Sequence, residues 1–291
     1  MLIPLTENQA VNERRHLDTY RSTREIQVAQ MISIVSENTM PHPLKSIRYA
    51  QAMRALRARG RTPPPNFDHL MPTLNAWAAS PISSLLAVKG SLSTRTAVTD
   101  LVVDMIGLIH SSQAPIVWAL KGKSNISSSN DTAIHLLKCL VMQTLQLNSE
   151  IVGQISPSFN AAMLQCAQTE KDWLAILRII AVSLPKLYII IDLELLEGGS
   201  NDRQWAISFL QGLQEFIKIN KDLQLKVVLF SFRQLLDTSG ITSDAKNAID
   251  GVTHRAIYTP RQSTLAARSF AGRGSSRGYR GKHRLRGFIE P

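Results

Sequence analysis

The sequence has few cysteines and no long apolar run, and each shortage excludes a class of protein. Cys139 and Cys166 are the two cysteines among 291 residues, too few for a disulfide framework, which favours a reducing compartment such as the cytoplasm. No stretch of about 18 apolar residues occurs, so we expect neither a membrane-spanning helix nor a membrane partner. The apolar start, Met1 to Leu5, is too short for the core of a signal peptide. We therefore expect a cytoplasmic protein.

Spacings typical of metal sites are also missing. The seven histidines are scattered along the chain, and neither an H-E-x-x-H nor a C-x-x-C motif occurs. These spacings place metal ligands on one helix face or in one tight turn. Both cysteines lie in apolar helical segments, where a buried and unreactive thiol is the usual outcome. The sequence therefore predicts no classical metal-binding cluster and no cysteine nucleophile.

The net charge of +11 is concentrated at the two ends of the chain. Residues 1–70 hold ten basic and six acidic side chains, residues 71–254 hold 14 and 15, and residues 255–291 hold nine and one. The central part is therefore near neutral, and an apolar content of 44% in the chain is enough for a core. A nucleic-acid-binding domain is usually basic itself, so the charge favours that class only for the flanks.

The C-terminal tail combines arginine, glycine and aromatic residues. Arg-Gly pairs recur within residues 268–288, with Phe270, Tyr279 and Phe288 interleaved. Arginine pairs with phosphates and aromatic rings stack on bases, a composition suited to single-stranded RNA. The segment has little apolar material with which to fold, so we expect a disordered tail over residues 261–291. An RNA-binding tail, which would also allow a nuclear location, and the end of a truncated or incorrect reading frame are the alternatives.

Two basic helices and a proline break precede the central region. Apolar residues recur at helical spacing over 24–35 and 44–59, whereas residues 1–20 are polar and predicted irregular. The second helix is arginine-rich, and a solvated basic face, a membrane-surface helix and an RNA-binding helix are its alternative interpretations. Pro63–Pro65 then form a stiff break. We assign residues 1–66 to a helical N-terminal extension.

The central region alternates apolar runs with helical segments. The predicted strands are Ser84–Lys89, Pro115–Leu120, Lys186–Leu193, Leu225–Phe232 and Arg255–Tyr258. The predicted helices cover 94–110, 132–147, 170–183 and 202–219. Continuously apolar strands are buried on both faces, and strands that alternate with helices are joined by right-handed crossovers. The pattern predicts an α/β domain over residues 67–260, with a parallel sheet of about five strands flanked by helices.

The loop after the first strand is a candidate phosphate-binding loop, because ligands bind at the carboxyl ends of strands in such sheets. It starts at Gly90 and leads into a helix, but the G-x-x-x-x-G-K-[ST] pattern fails at the second glycine, the lysine and the hydroxyl. A loop one residue shorter would place Thr94, Arg95 and Thr96 at these positions. The candidate nucleotide-binding residues are Gly90, Ser93, Thr94, Arg95 and Thr96.

A literal Gly-Lys-Ser sequence follows the second predicted strand at Gly122, Lys123 and Ser124. The residue five positions before this glycine is Val117, inside the strand, and no helix is predicted to open at the serine. Three common residue types in a row are weak evidence for a phosphate site. We interpret this segment as a surface loop.

Polar residues also follow the next two strands. Asp192 ends the most apolar strand, and Glu194 follows it. This is the Walker B pattern, in which the Asp orients magnesium and a nearby Glu activates water. Asp192 is thus the candidate metal ligand and Glu194 the candidate catalytic residue, with a loop-capping Asp as the alternative. Ser231 and Arg233 follow the next strand, where a γ-phosphate sensor would lie; an exposed arginine at a strand end is the alternative.

Residues 74–260 resemble the P-loop NTPase domain of the STAND/NACHT class, in a degenerate form like that of some fungal proteins. The segments that carry the resemblance are SLLAVKGSLSTRTAV, PIVWALKGK, LLKCLVMQTLQL, KLYIIIDLELL and KVVLFSFR. The resemblance implies a five-stranded parallel core with nucleotide against the first loop. It also implies that Asp192 is the Walker B acid and that Ser231 and Arg233 are the sensor-like pair.

The missing lysine weighs against catalysis, because phosphoryl transfer depends on positioning and on charge around the phosphates. We therefore expect no active enzyme, but a catalytically degenerate module for protein interaction or regulation that binds other proteins. Nucleotide binding without turnover is one alternative. Magnesium-dependent ATP or GTP hydrolysis, with ATP and Mg²⁺ as cofactors, and RNA association through residues 268–288 are the others.

Overall fold

A computed structural model describes residues 3–36, 42–59, 66–121, 132–147, 159–196, 202–219, 223–232 and 254–258. Arg233, the loop from Gly122 to Ser124 and the tail over residues 261–291 lie outside the described residues. What the sequence predicts for these three segments stays a prediction.

Helices and strands alternate through the described part of the chain. The helices are α1 Ile3–Ser36, α2 Pro43–Arg59, α3 Met71–Ala79, α4 Arg95–Ser111, α5 Thr132–Leu147, α6 Ala161–Cys166, α7 Glu170–Ala181 and α8 Asp202–Ile219. The strands are β1 Ser84–Lys89, β2 Ile116–Ala119, β3 Lys186–Asp192, β4 Gln224–Ser231 and β5 His254–Ile257. Short 3-10 turns over Leu92–Thr94 and Leu193–Leu196 follow β1 and β3. The predicted α/β class is confirmed, and each strand lies within one residue of its predicted ends.

The five strands form one parallel sheet in the order β2-β3-β4-β1-β5. Successive side chains of β1 go to opposite faces: Leu85 and Ala87 join one apolar cluster, whereas Leu86 and Val88 join another. Both faces of the sheet are therefore buried, as the continuously apolar strands predict.

The helices divide between the two faces. α5, α7 and α8, with the end of α1, pack on one face, and α2, α3 and α4 pack on the other. The chain leaves β1 through α4 to reach β2 at the far edge, then returns through the helices of the opposite face. In open α/β sheets, ligands bind at the carboxyl edge where connections diverge in this way, and here that position is beside β1 and β4.

The N-terminal helix is longer than the sequence pattern indicates. Irregular structure predicted over residues 1–20 is wrong from Ile3 onward, where α1 begins. Residues 9–23 are exposed on every side, so this part has no apolar stripe from which a helix could be predicted. Only the end of α1 is docked, through Val28, Met31 and Val35. No helix in the described residues is long and apolar enough to cross a bilayer.

Two short helices, α3 and α6, were not predicted because each spans too few turns for an apolar period to show. α3 begins after Leu70 and carries a proline in its first turn. α6 begins after Asn160, whose side chain accepts a hydrogen bond from the Met163 N–H at 3.0 Å. Local capping chemistry rather than periodicity therefore marks the start of α6.

A buried lysine joins the end of α3 to the sheet. Lys226 of β4 is fully buried, and its Nζ donates to the carbonyl oxygens of Trp77 at 3.0 Å, Ile82 at 2.9 Å and Ser80. Ser84 Oγ lies 2.9 Å from the same nitrogen, so these four oxygens share its three N–H donors. The last carbonyls of a helix have no partner within the helix, so Lys226 supplies from the sheet the donors that α3 needs at its end.

Candidate functional site

Three neighbouring strands bring the predicted site residues to one edge of the sheet. Gly90 follows β1, Ser231 ends β4 and Asp192 ends β3, and β4 lies between the other two strands. Arg95 is the first residue of α4, directly after the β1 loop. This is the edge at which parallel α/β sheets bind their ligands.

The side chains of the β1 loop bond to each other. The Ser91 N–H donates to Thr94 Oγ1 at 2.7 Å, and the Thr94 hydroxyl donates back to the Ser91 carbonyl at 3.0 Å. Ser91 Oγ lies 2.8 Å from Ser93 Oγ. Thr94 is buried, whereas Ser93 and Thr96 are exposed. The loop is thus a closed turn, and Thr94 holds it shut.

The backbone of the same loop is also committed to internal hydrogen bonds. The Gly90 N–H donates to the Ser231 carbonyl oxygen, and the Ser91 N–H donates to Thr94 Oγ1. The Thr94 and Arg95 N–H groups donate to the carbonyl oxygens of Ser91 and Leu92. A phosphate-binding loop works by aiming such N–H groups at phosphate oxygens. The loop in this conformation therefore offers few donors to a phosphate group.

Gly90 is a position where close packing requires glycine. A Cβ added there would lie 3.0 Å from both Phe232 Cδ1 and Thr94 Oγ1, and 3.2 Å from Val98 Cγ2. These contacts are tighter than ordinary van der Waals distances. The glycine therefore lets β1, the end of β4 and α4 pack closely together.

Asp192 ties the ends of two strands together. Its Oδ2 accepts from the Lys121 N–H at 3.2 Å, just after β2, and its Oδ1 accepts from the Glu194 N–H at 3.0 Å. The carboxyl is 5% exposed. Burial raises the pKa of Asp192 to about 7, although the two N–H donors act in the opposite direction. The loop-capping interpretation of Asp192 accounts for both of its oxygens.

Glu194 is paired with Arg95. Glu194 is 2% exposed, and its Oε2 lies 3.4 Å from Arg95 Nη2, while its Oε1 is buried without a hydrogen-bond partner among the described residues. The Arg95 guanidinium also stands over the Phe232 ring, 5.8 Å from the ring centre. One cation from α4 thus reaches across β4 to the carboxylate beyond β3.

Lys121 completes the polar network at this edge. Its Nζ donates to the Glu194 carbonyl oxygen at 3.1 Å. Sequence reasoning did not select Lys121 or Phe232, although each stands at the carboxyl end of a predicted strand. Their position directly after or at the end of a predicted strand, the same signal that identifies Asp192 and Ser231, places them at this edge as well.

Among the predicted residues, Gly90, Thr94, Arg95, Asp192, Glu194 and Ser231 come together at one edge. Ser231 is fully buried and accepts the Gly90 N–H through its carbonyl oxygen. Ser93 and Thr96 are exposed and lie outside the contacts that join Arg95, Asp192, Glu194 and Lys121. Arg233, the other residue of the predicted sensor pair, lies outside the described residues.

The carboxylates at this edge are already engaged within the protein. Both Asp192 oxygens accept N–H groups and Glu194 is paired with a cation, so a magnesium ion, which requires oxygen ligands in octahedral geometry, would have to share or displace these contacts. No group of three or more His, Cys, Asp or Glu side chains able to hold a metal ion occurs in the part of the chain that the structure describes.

Comparisons with known proteins add no further assignment. Neither the family models nor the curated proteins include a match to this chain. Interpretation of the site therefore depends on its own geometry.

Proposed function

We propose that this chain is a catalytically degenerate P-loop-like module that acts through protein interactions and does not turn over nucleotide. The observation that carries the proposal is the ion pair between Arg95 and Glu194. A carboxylate that activates water must accept a proton from it. The Glu194 Oε2 instead lies 3.4 Å from Arg95 Nη2, so a water molecule that used this oxygen as its base would have to compete with the guanidinium.

The closed loop after β1 supports the same proposal. Nucleotide binding there would require the turn held by Thr94 to open, with loss of the bonds that its N–H groups make. Each lost hydrogen bond costs about 0.5–1.5 kcal/mol. Active hydrolysis would further require Arg95 to leave Glu194, so the arrangement favours a structural use of residues that resemble an NTPase site.

The first test is nucleotide binding by the full chain. We expect a fluorescent ATP analogue with magnesium to show no saturable binding up to millimolar concentration, and phosphate release to stay at background. Phosphate release above background would contradict the proposal, whereas micromolar binding without turnover that is lost in Asp192→Ala would restore the nucleotide-binding alternative.

A second measurement separates a structural Arg95 from a nucleotide-binding one. Arg95→Ala leaves the buried Glu194 carboxylate unpaired, so we expect a loss of about 1–2 kcal/mol in the free energy of unfolding. Thr96→Ala, an exposed change on the same helix turn, is the matched control and should stay within about 0.5 kcal/mol. Equal stability of the two variants would remove the ion pair as the basis of the proposal.

A further inference from the structure

The inward face of α2 pairs two of its arginines with two aspartates of α4. Arg54 Nη2 donates to Asp104 Oδ2 at 2.9 Å, and Arg57 pairs with Asp100. The later arginine meets the earlier aspartate, so α2 and α4 run antiparallel. Arg54 and Arg57 are three residues apart and lie on one side of α2, as their helical spacing requires. This pairing shows how α2 binds carboxylates spaced one turn apart.

The outward face of α2 carries a second set of cations. Lys45, Arg48 and Arg59 are exposed, and none has an acidic partner among the described residues. Lys45 and Arg48 repeat the three-residue spacing of the inward pair. Tyr49 and Leu56 lie along the same outward side and are 38% and 57% exposed.

Small residues separate these cations from one another. Ala52 and Ala55 are both exposed between Arg48 and Arg59, and their short side chains let another helix approach closely. At 1.5 Å per residue, the face from Lys45 to Arg59 is about 21 Å long, enough for several turns of a partner helix.

We propose that the outward face of α2 binds an acidic amphipathic helix of a partner protein, in the way that its inward face binds α4. The partner's carboxylates, one turn apart, pair with Lys45 and Arg48, and its apolar side chains cover Tyr49, Ala52 and Leu56. This inference rests on the proposed interaction function and names the surface and the partner chemistry for it.

Other occupants fit this face less well. A membrane-surface helix places its apolar residues at the centre of the bound face, but Lys45, Ala52 and Arg59, spaced by seven, form the centre line here. A nucleic acid backbone would pair with the cations and leave Leu56 uncovered. A second copy of this chain is also a poor occupant. Within the described helices, carboxylates four residues apart occur only at Asp100 and Asp104, which already bind α2.

The test uses the full chain and a synthetic helical peptide with glutamates one turn apart beside leucine and alanine. We expect saturable binding by fluorescence anisotropy, and a loss of at least about tenfold in affinity in Lys45→Glu/Arg48→Glu. The control, Arg14→Glu/Arg15→Glu, changes the charge equally on exposed α1 residues and should stay within about twofold. A peptide with lysines in place of the glutamates should bind the Lys45→Glu/Arg48→Glu variant more tightly than the wild type.

Three results would overturn the inference. The first is no binding of the peptide to the wild type at millimolar concentration. The second is an equal loss of peptide affinity in the two double variants. The third is displacement of the bound peptide by phosphatidylserine vesicles or polyuridine RNA at a lower concentration than unlabelled peptide requires. The vesicle or RNA result would assign the face to a lipid surface or a nucleic acid. Magnesium-dependent ATP hydrolysis by the wild type would contradict the proposed function alone and leave the peptide result standing, so the two failures are distinguishable.

Discussion

Arg95 opens α4 directly after the β1 loop, and its side chain contacts two other elements at this edge of the sheet. The planar guanidinium pairs with Glu194 at 3.4 Å and at the same time covers the Phe232 ring. The guanidinium offers several N–H donors and a flat face, so one side chain serves both contacts. Arg95 thus acts as a support between α4, the end of β3 and the end of β4.

Lys226 is the second residue whose environment sets its behaviour. Burial, and to a smaller extent the charge of Lys186, lower the pKa of Lys226 to about 8 from its ordinary 10.5. The titratable groups near it are Lys186 and Tyr188 of the neighbouring strand β3 and His254 of β5, which lies beyond β1, while α3 contributes only carbonyl oxygens. Folding therefore holds this side chain with a reduced affinity for its proton.

The stability of the protein should depend on pH through Lys226. Because the folded pKa lies below the unfolded one, the unfolded chain binds more protons between about pH 8 and pH 10.5. The free energy of unfolding of the wild type should therefore rise across that window relative to Lys226→Met, by on the order of 1–3 kcal/mol. Urea unfolding at several pH values measures this difference.

Lys186→Met is the control for this pH dependence. It removes the neighbouring cation that lowers the pKa of Lys226, so the rise should remain but begin at a higher pH. If the wild type and Lys226→Met show parallel curves from pH 8 to pH 10.5, Lys226 does not titrate in this range.

At the scale of single elements, the edge strand β2 is closed by a side chain of α5. The Trp118 N–H donates to Gln143 Oε1 at 3.1 Å, and Gln143 Nε2 donates to the Trp118 carbonyl at 2.8 Å. The glutamine takes the place of a neighbouring strand at this residue. An exposed edge is a site for unwanted pairing with other chains, so α5 both covers the sheet and seals this part of its edge.

Loss of this side chain should destabilise β2. Gln143→Ala leaves the Trp118 N–H and carbonyl without these partners, and we expect a loss of about 1–3 kcal/mol in the free energy of unfolding. Gln146→Ala, exposed on the same helix, should change it by less than about 0.5 kcal/mol. Urea denaturation of both variants gives the comparison. A similar effect in the two would mean that Gln143 acts only through helix propensity.

At the scale of the whole molecule, the N-terminal helices belong to both faces of the domain. The end of α1 packs on α5 and α6, whereas α2 packs on α4 at the opposite face. The Trp118 indole N–H donates to the Pro43 carbonyl at 3.2 Å, which joins the start of α2 to the β2 edge. Residues 9–23 of α1 share in none of this packing and are exposed throughout.

Changes in the exposed part of α1 should therefore leave the domain stable. For Leu17→Ala, at a residue that is 67% exposed, we expect the free energy of unfolding to change by less than about 0.5 kcal/mol, as for other surface changes. Met31→Ala, in the docked part of α1 and 4% exposed in the wild type, should lower it by about 2–5 kcal/mol. Thermal and urea unfolding measure both variants. Equal losses in the two variants would show that the exposed part of α1 also supports the domain.

The sequence by itself determined the α/β class, the five strands and the strand ends at which the polar residues gather. These follow from local patterns, because an apolar run such as Lys186–Asp192 identifies a buried strand without reference to any other segment. The same logic failed for residues 3–20 of α1, which are helical without an apolar stripe.

Only the tertiary structure decided the strand order, the pairing of Arg95 with Glu194 and the partners of Lys226 at the end of α3. Each depends on segments far apart in the chain that meet when the sheet forms. Whether a residue that follows a strand is free for a ligand depends on the neighbours that reach it through space. The sequence pattern places Glu194 at the carboxyl edge of the sheet, where ligands bind in this fold class, and the fold brings the Arg95 guanidinium to it.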